Sequence, residues 1–460
     1  MTSKEGAAMS IKERVQKITS DYYEGLCSAR ERGKLVAWCS SVAPQEFMEA
    51  MDIEVAYPEN HAAAIAAKGG ALELLDHAEA QGYNNDICAY ARINLAYADI
   101  MESEIQNLPR PDFVTCTSNI CNTLIKWYEN LARKFNVPFI LIDTPYNTGE
   151  GVKQDAVDYI KAQFQEFVRK LEIICKRPFN YQKFEEVMKI SIASSKAWMR
   201  AMSYAQKVPS PLDGFNILNY MALAVCIRGR QESVDFFNFI SDEMERMMAA
   251  GESQFKAEQK YRYMWEGIAV WPYLSHNYKT LKNHEAIYVG STYPYSWNID
   301  YELHDIDAMA RAYSAIPPNV CLKRQIEIRT GIMRDCHCDG ALYHMNRSCK
   351  LLDLMQQGLR AGVYEETGAP YTVFDGDQAD PRSFAKAQFE TRVQALVESM
   401  EEPDRTLFLR YYYEEEPLDQ VCRDLKMRPS TARSRLCRGR RKLKERLTQE
   451  GGMLDAQSHP

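Results

Sequence analysis

The rhythm of apolar positions changes along the chain. Residues 11–32 repeat at three-to-four spacing and predict an amphipathic helix. Short apolar runs follow: KLVAWCSS (34–41), IEVAYPE (53–59), PDFVTCTS (111–118) and VPFILID (137–143). Each has the length and residue types of a buried strand. Helical stretches separate them: 44–51, opening on Pro44; the Ala-rich 61–81, ending near Gly82; and 120–135. Strand and helix in alternation predict a parallel sheet with helices on its faces.

From 151 to 262 the pattern is purely helical, with periodic stretches at 152–175, 181–206, 215–227 and 231–249. SPLDG (210–214) is a turn between two of them. Alternation then returns. GIAVWPYL (267–274), AIYVGST (286–292), DGALYHM (339–345) and PYTVFDG (370–376) read as strands. Helices at 304–313, 319–334, 348–363 and 383–399 separate them. The expected fold is therefore α/β: two parallel-sheet, Rossmann-like units with a helical insertion, plus a small all-α C-terminal segment. The expected divisions are 1–150 (leading helix and first α/β domain), 151–262 (helical region), 263–400 (second α/β domain), 401–447 (helical segment) and 448–460 (disordered tail).

Composition narrows the class. The 460 residues are 46% apolar and 26% charged, the balance of a globular protein with two or three domains. No run of about 18 apolar residues exists to span a membrane. The N-terminus lacks the apolar core of a secretion signal, so a cytoplasmic location is expected. The net charge of −7 is uneven. Residues 401–460 hold 13 Lys/Arg against 11 Asp/Glu, leaving −9 on the rest. Such a split marks a segment with its own partner.

Thirteen cysteines is a high count for a compartment where disulfides are rare. In open parallel sheets, ligands bind beyond the carboxyl ends of the strands. That rule singles out Cys121, after strand 111–118, and Cys349, after strand 339–345. Both open helices, where a thiolate is favoured. Cys88 lies in the connection after helix 61–81. Three thiols meeting in a cleft between two α/β units would hold an iron–sulfur cluster with one iron left open. The plainer reading is three small buried hydrophobes, since no C-x-x-C pair exists. Ser41 and Glu59 end the first two strands. They are either a helix cap and a solvated carboxylate, or polar groups beside a substrate. His344 is a candidate proton donor or a satisfied buried histidine. FDGDQADPR (374–382) is a cation site or a set of Asx turns. No GxxxxGK[ST] exists to bind ATP, and no GxGxxG follows a strand.

Several motifs carry a resemblance. WCSSVAPQE (38–46), YPEN (57–60), GYNNDICAYAR (82–92), DFVTCTSNICNTLIKWYEN (112–130), EGIAVWPY (266–273), YHMNRSCK (343–350) and FDGDQADPRSFAKAQFETR (374–392) resemble the 2-hydroxyacyl-CoA dehydratases, in order, over residues 11–400. They are most similar to the α-subunits acting on (R)-2-hydroxyisocaproyl-CoA or (R)-phenyllactyl-CoA. The resemblance implies a 4Fe–4S cluster held by Cys88, Cys121 and Cys349, with Ser41 and Glu59 as catalytic residues. It implies a homologous β-subunit with its own cluster, an ATP-dependent iron–sulfur activator, and a 2-hydroxyacyl-CoA substrate. The implied reaction eliminates water to give (E)-2-enoyl-CoA through a ketyl radical, after one-electron activation. The physical need is plain. The β-proton of an acyl thioester is barely acidic, and general-base catalysis worth about 10²–10⁴-fold cannot remove it unaided.

The tail resembles region 4 of sigma factors, a helix-turn-helix at 403–447. Val421, Leu425, Met427, Leu436, Leu443 and Leu447 form its apolar stripe. Thr431, Arg433, Ser434 and Arg435 fall where a recognition helix meets base edges, and Arg438 where phosphates lie. DNA or RNA polymerase is the partner so implied. An alternative is a DNA-binding regulator with a dehydratase-like sensor body, or a gene join that left a sigma-like segment behind.

Overall fold

The structure is a computed structural model describing residues 9–399, 406–407, 409–413, 416–433 and 435–436. The first sheet holds β1 (Val36–Cys39), β2 (Glu54–Ala56), β3 (Phe113–Thr117) and β4 (Phe139–Ile142), all parallel, in the order β2-β1-β3-β4. The second holds β5 (Tyr261–Glu266), β6 (Ala286–Gly290), β7 (Gly340–Asn346) and β8 (Tyr371–Gly376), again parallel, in the order β6-β5-β7-β8. The two sheets share one topology. In each, the strand order reverses beside the first strand, which opens a crevice at the strands' carboxyl ends. Most strands are nearly continuous apolar runs because helices cover both faces; β5 (YRYMWE) is the exception.

The helices follow in chain order. α1 is Ile11–Cys27, started by a capping box in which Ser10 and Glu13 satisfy each other's backbone. α2 (Glu46–Glu49), α3 (Pro58–Ala67), α4 (Ala71–Ala80), α5 (Ala89–Ile100) and α6 (Asn122–Phe135) complete the first unit. α7 (Gln154–Cys175), α8 (Tyr181–Ser203), α9 (Gly214–Cys226) and α10 (Gln231–Ala249) are the expected helical region. Phe47 of α2 nests among Phe164, Phe167, Phe179 and Phe184, stacking on the last at 4.6 Å, and so joins that region to the first unit. The second unit carries α11 (Leu274–Asn283), α12 (Thr292–Tyr295), α13 (Ile306–Ser314), α14 (Leu322–Asp335), α15 (Lys350–Thr367) and α16 (Lys386–Ser399).

Three expectations are corrected. Residues 267–274 are not a strand. The strand is β5 just before, so the division drawn at 262/263 falls inside it. Gly267 ends β5 at φ +101°, where a Cβ would stand 3.2 Å from the His344 carbonyl oxygen. Beyond it the chain makes a 3₁₀ turn at Trp271–Tyr273 and enters α11. Residues 61–81 form two helices, broken at Gly69 (φ +84°). α5, finally, had no predicted counterpart.

The tail's described part contains a π-helical turn at Leu409–Tyr413, then α17 (Leu418–Asp424), then helical residues at 429–433 and 435–436. Leu407, Val421, Cys422, Ala432 and Leu436 form a small core of their own, apart from the main one. Thr431 and Arg433 are exposed and Arg435 is half-buried. Ser434, Arg438 and the expected tail at 448–460 lie outside the described residues. No helix among the described residues is long and apolar enough to cross a membrane.

Candidate active site

Ser41 leaves the end of β1, and Glu59 sits in the first turn of α3, just past β2. The structure brings them together. The Ser41 backbone N–H and hydroxyl both donate to Glu59 Oε1, at 3.1 and 3.3 Å. Tyr128 of α6 donates to the other oxygen, Oε2, at 2.7 Å. Burial pushes the Glu59 carboxyl up from its ordinary value, and the bonds from Tyr128 and Ser41 work against that rise. The carboxyl is thus held in place yet able to carry a proton.

Cys88, Cys121 and Cys349 are each the N-cap of a helix: α5, α6 and α15. All three are half-buried and free. The backbone N–H groups of the following turn, Ala91 for Cys88, Thr123 and Leu124 for Cys121, Leu351 and Leu352 for Cys349, pull each thiol down electrostatically without making a capping hydrogen bond. Burial dominates nonetheless, raising all three thiols and taking Cys349 up to about 12. Two of the thiols also feel others of the set. Cys349 and Cys121 raise Cys88, and Cys121 raises Cys349. Helix starts from both units therefore face one cleft.

Cross-unit bonds fix this meeting. The Gln378 amide donates to Cys88 Sγ at 3.3 Å, and Ser348 bridges the Ala89 N–H (3.0 Å) to Gln378 Oε1 (3.4 Å). Arg92, one turn into α5, is buried between Glu79 (2.6 Å) and Asp380 (3.2 Å). The FDGDQADPR segment is thus a brace. Asp377 accepts from the Ala379 and Asp380 N–H groups, and Asp380 caps Arg382, as Asx turns do. His344 stands apart. It is fully buried, its Nδ1 lies 2.6 Å from the Ile268 carbonyl oxygen, and its ring stacks on Phe374. Among the described residues no trio of His, Cys, Asp or Glu is arranged to hold a single metal ion. What the three cysteines offer is an all-sulfur donor set, with Cys88 hydrogen-bonded by Gln378, which suits an iron–sulfur cluster.

Sequence reasoning missed Tyr128, Gln378 and Tyr293. Tyr293, in α12, lies within electrostatic reach of Glu59, Cys349 and Cys88 and is hydrogen-bonded with Tyr90. Tyr128 had a faint signal, standing seven residues after Cys121 on the same helix.

Twin parallel sheets with a carboxyl–hydroxyl pair and three helix-capping thiols near their carboxyl ends form the kind of cleft in which α/β enzymes hold their ligands. Residues 40–400 match the family described as 2-hydroxyglutaryl-CoA dehydratase, D-component. The chain is 47% identical over 403 residues to the (R)-2-hydroxyisocaproyl-CoA dehydratase alpha subunit of Clostridioides difficile, covering 87% of this chain and 98% of that one. It is 44% identical to the (R)-phenyllactyl-CoA dehydratase alpha subunit of Clostridium sporogenes, over 86% and 97% of the two chains. It is 43% identical to the lactoyl-CoA dehydratase subunit alpha of Anaerotignum propionicum, over 81% and 92%. The chain belongs to the 2-hydroxyglutaryl-CoA dehydratase D-component family. Residues 390–443 separately match Sigma-70, region 4.

Proposed function

We propose that this chain is the α-subunit of an iron–sulfur (R)-2-hydroxyacyl-CoA dehydratase. It would work in the cytoplasm with a homologous β-subunit and an ATP-dependent iron–sulfur activator. Twelve free cysteines among the described residues accord with a reducing compartment. Cys88, Cys121 and Cys349 hold the 4Fe–4S cluster. When bound, that group would supply a Lewis-acidic iron and a low-potential electron, the chemistry by which an unactivated β-proton becomes removable.

The chain's own residues handle the protons. Glu59, whose carboxyl is raised by burial, gives its proton to the departing hydroxide, which leaves as water. The carboxylate so formed takes the β-proton and is restored to its starting state. Substrate loses one hydroxyl and one hydrogen, and the enzyme gains nothing. Ser41 and Tyr128 hold the carboxylate through both steps. The apolar cleft keeps water from the radical. The tail takes no part in dehydration. Its sigma-region match and its exposed Arg428 and Arg433 support DNA or RNA polymerase as its partner.

What supports this reading is that three helix-capping thiols from the two units lie within electrostatic reach of one another, with Cys121 in reach of Glu59 as well. The test is anaerobic co-expression with β-subunit and activator, comparing wild type with Glu59→Gln. The variant should keep its iron and lose turnover by about 10²–10⁴-fold. Undiminished turnover would assign the proton to another group.

A further inference from the structure

Ala89 follows Cys88 in the first unit, and Ser348 precedes Cys349 in the second. The two meet across the cleft, where the Ala89 N–H donates to Ser348 Oγ at 3.0 Å. The Ser348 hydroxyl donates in turn to Gln378 Oε1 at 3.4 Å. With its oxygen so taken, the Gln378 amide turns its nitrogen to Cys88 Sγ at 3.3 Å. Chemistry fixes the direction of this chain. A backbone N–H can only donate. The hydroxyl that accepts it passes its own hydrogen onward. The amide oxygen that receives that hydrogen leaves only N–H groups for the sulfur.

The amide is also held in place. Gln378 and Ser348 are both buried. The Gln378 carbonyl oxygen accepts from the Trp271 N–H at 3.1 Å. Next to it, Asp377 accepts from the Ser348, Ala379 and Asp380 N–H groups at 3.1, 2.8 and 2.9 Å, which pins the turn. A sulfur that ligates iron carries negative charge, and carries more once an electron has entered. A fixed N–H donor therefore stabilises the reduced state more than the oxidised one. Burial strengthens that contact relative to water.

We propose that Gln378 is a positioning residue that sets the electron affinity of the cluster through its N–H···S contact with Cys88, with Ser348 orienting the amide. The inference rests on the dehydratase reading above and adds to it what controls entry of the electron. Only an electron moves in that step. It passes from the reduced iron–sulfur activator to the cluster, the hydrogen stays on the Gln378 nitrogen, and no bond forms or breaks.

The test is a redox titration, followed by EPR, of the anaerobic complex of this chain with its β-subunit. Gln378→Met keeps the side chain's length and removes the donor. It should lower the equilibrium constant for one-electron reduction of the α-cluster about tenfold, a downward shift of about 59 mV. Ser348→Ala leaves Gln378 in place but frees its amide to turn, and should lower the potential by less. The double variant should go no lower than Gln378→Met, because both changes act through one contact. Pulsed EPR after exchange into D₂O should show one exchangeable deuteron coupling lost from the reduced α-cluster of Gln378→Met. The β-subunit's cluster should hold its potential throughout and serves as the reference. A potential that stays in place or rises in Gln378→Met overturns the assignment, as does a double variant whose two shifts add. Where Gln378→Met does not hold its iron, Ser348→Ala decides by the same criterion. A wild-type α-chain that takes up no iron fails the dehydratase reading itself, whereas a loaded cluster with an unmoved potential fails this assignment alone.

Discussion

At the scale of single residues, the site turns on how Glu59 holds its proton. Burial raises the carboxyl, and the hydrogen bonds from Tyr128 and Ser41 lower it. Tyr128→Phe removes one lowering contact and leaves the burial. The folded-state pKa then climbs further above the unfolded value. The basic limb of the kcat/KM profile, which reports loss of the protonated form that starts the reaction, should move to higher pH. A limb that stays in place, or moves down, would exclude Glu59 as the titrating group. The sign for stability is the reverse of a salt-bridged carboxylate: the stability Glu59 contributes is full below its unfolded value and is lost as pH rises from there through the folded one. Ser41, Glu59, Cys121 and Cys349 were legible as positions because each follows a strand or opens a helix. Tyr128 and Gln378 were not. Their partners stand 69 and 290 residues away, and no local pattern encodes such a meeting.

At the scale of elements, packing decided where local pattern was ambiguous. GIAVW looks like a strand because it is a continuous apolar run. Yet Gly267 turns the chain out of the sheet, and Trp271 is buried beyond the turn, where its indole N–H donates to Tyr90. The true strand, YRYMWE, was obscured by Arg262, which is buried and donates to the Cys336 and Ala205 carbonyl oxygens. The four long helices of the insertion were plain, since long periodic stretches outlast local noise. Glu46 shows how that insertion is tied to the first unit. Fully buried on α2, it accepts from Ser191 of α8 (2.6 Å), Tyr313 of α13 (2.6 Å) and Tyr301 (3.1 Å), with Arg228 nearby at 3.8 Å. Glu46→Ala would leave the Arg228 charge buried without its partner. It should cost about 3–5 kcal/mol, read as a lowered urea midpoint. A midpoint within error of wild type would remove this network from the account of stability.

At the scale of the whole molecule, two units of one topology each supply a third-strand cysteine, Cys121 after β3 and Cys349 after β7. Cys88 joins them from α5, whose start is bonded across the units through Ser348 and Gln378. The tail is built differently. α16 buries Phe389, Val393 and Leu396 in the main core, whereas the tail's apolar residues form their own cluster. A chain ended after residue 400 should therefore keep the body's thermal transition and its dehydratase turnover. A destabilised body would mean the tail is part of it.

The most direct measurement is the iron and acid-labile sulfide content of the anaerobic complex carrying Cys349→Ala, beside a Cys321→Ala control. Cys321 also caps a helix, α14, but its thiol faces the Gly149 carbonyl oxygen at 3.7 Å. Cys349→Ala should lose one cluster's complement of iron and sulfide per α-chain while folding normally, and Cys321→Ala should keep it. Full iron and sulfide in Cys349→Ala would contradict the ligation by Cys349.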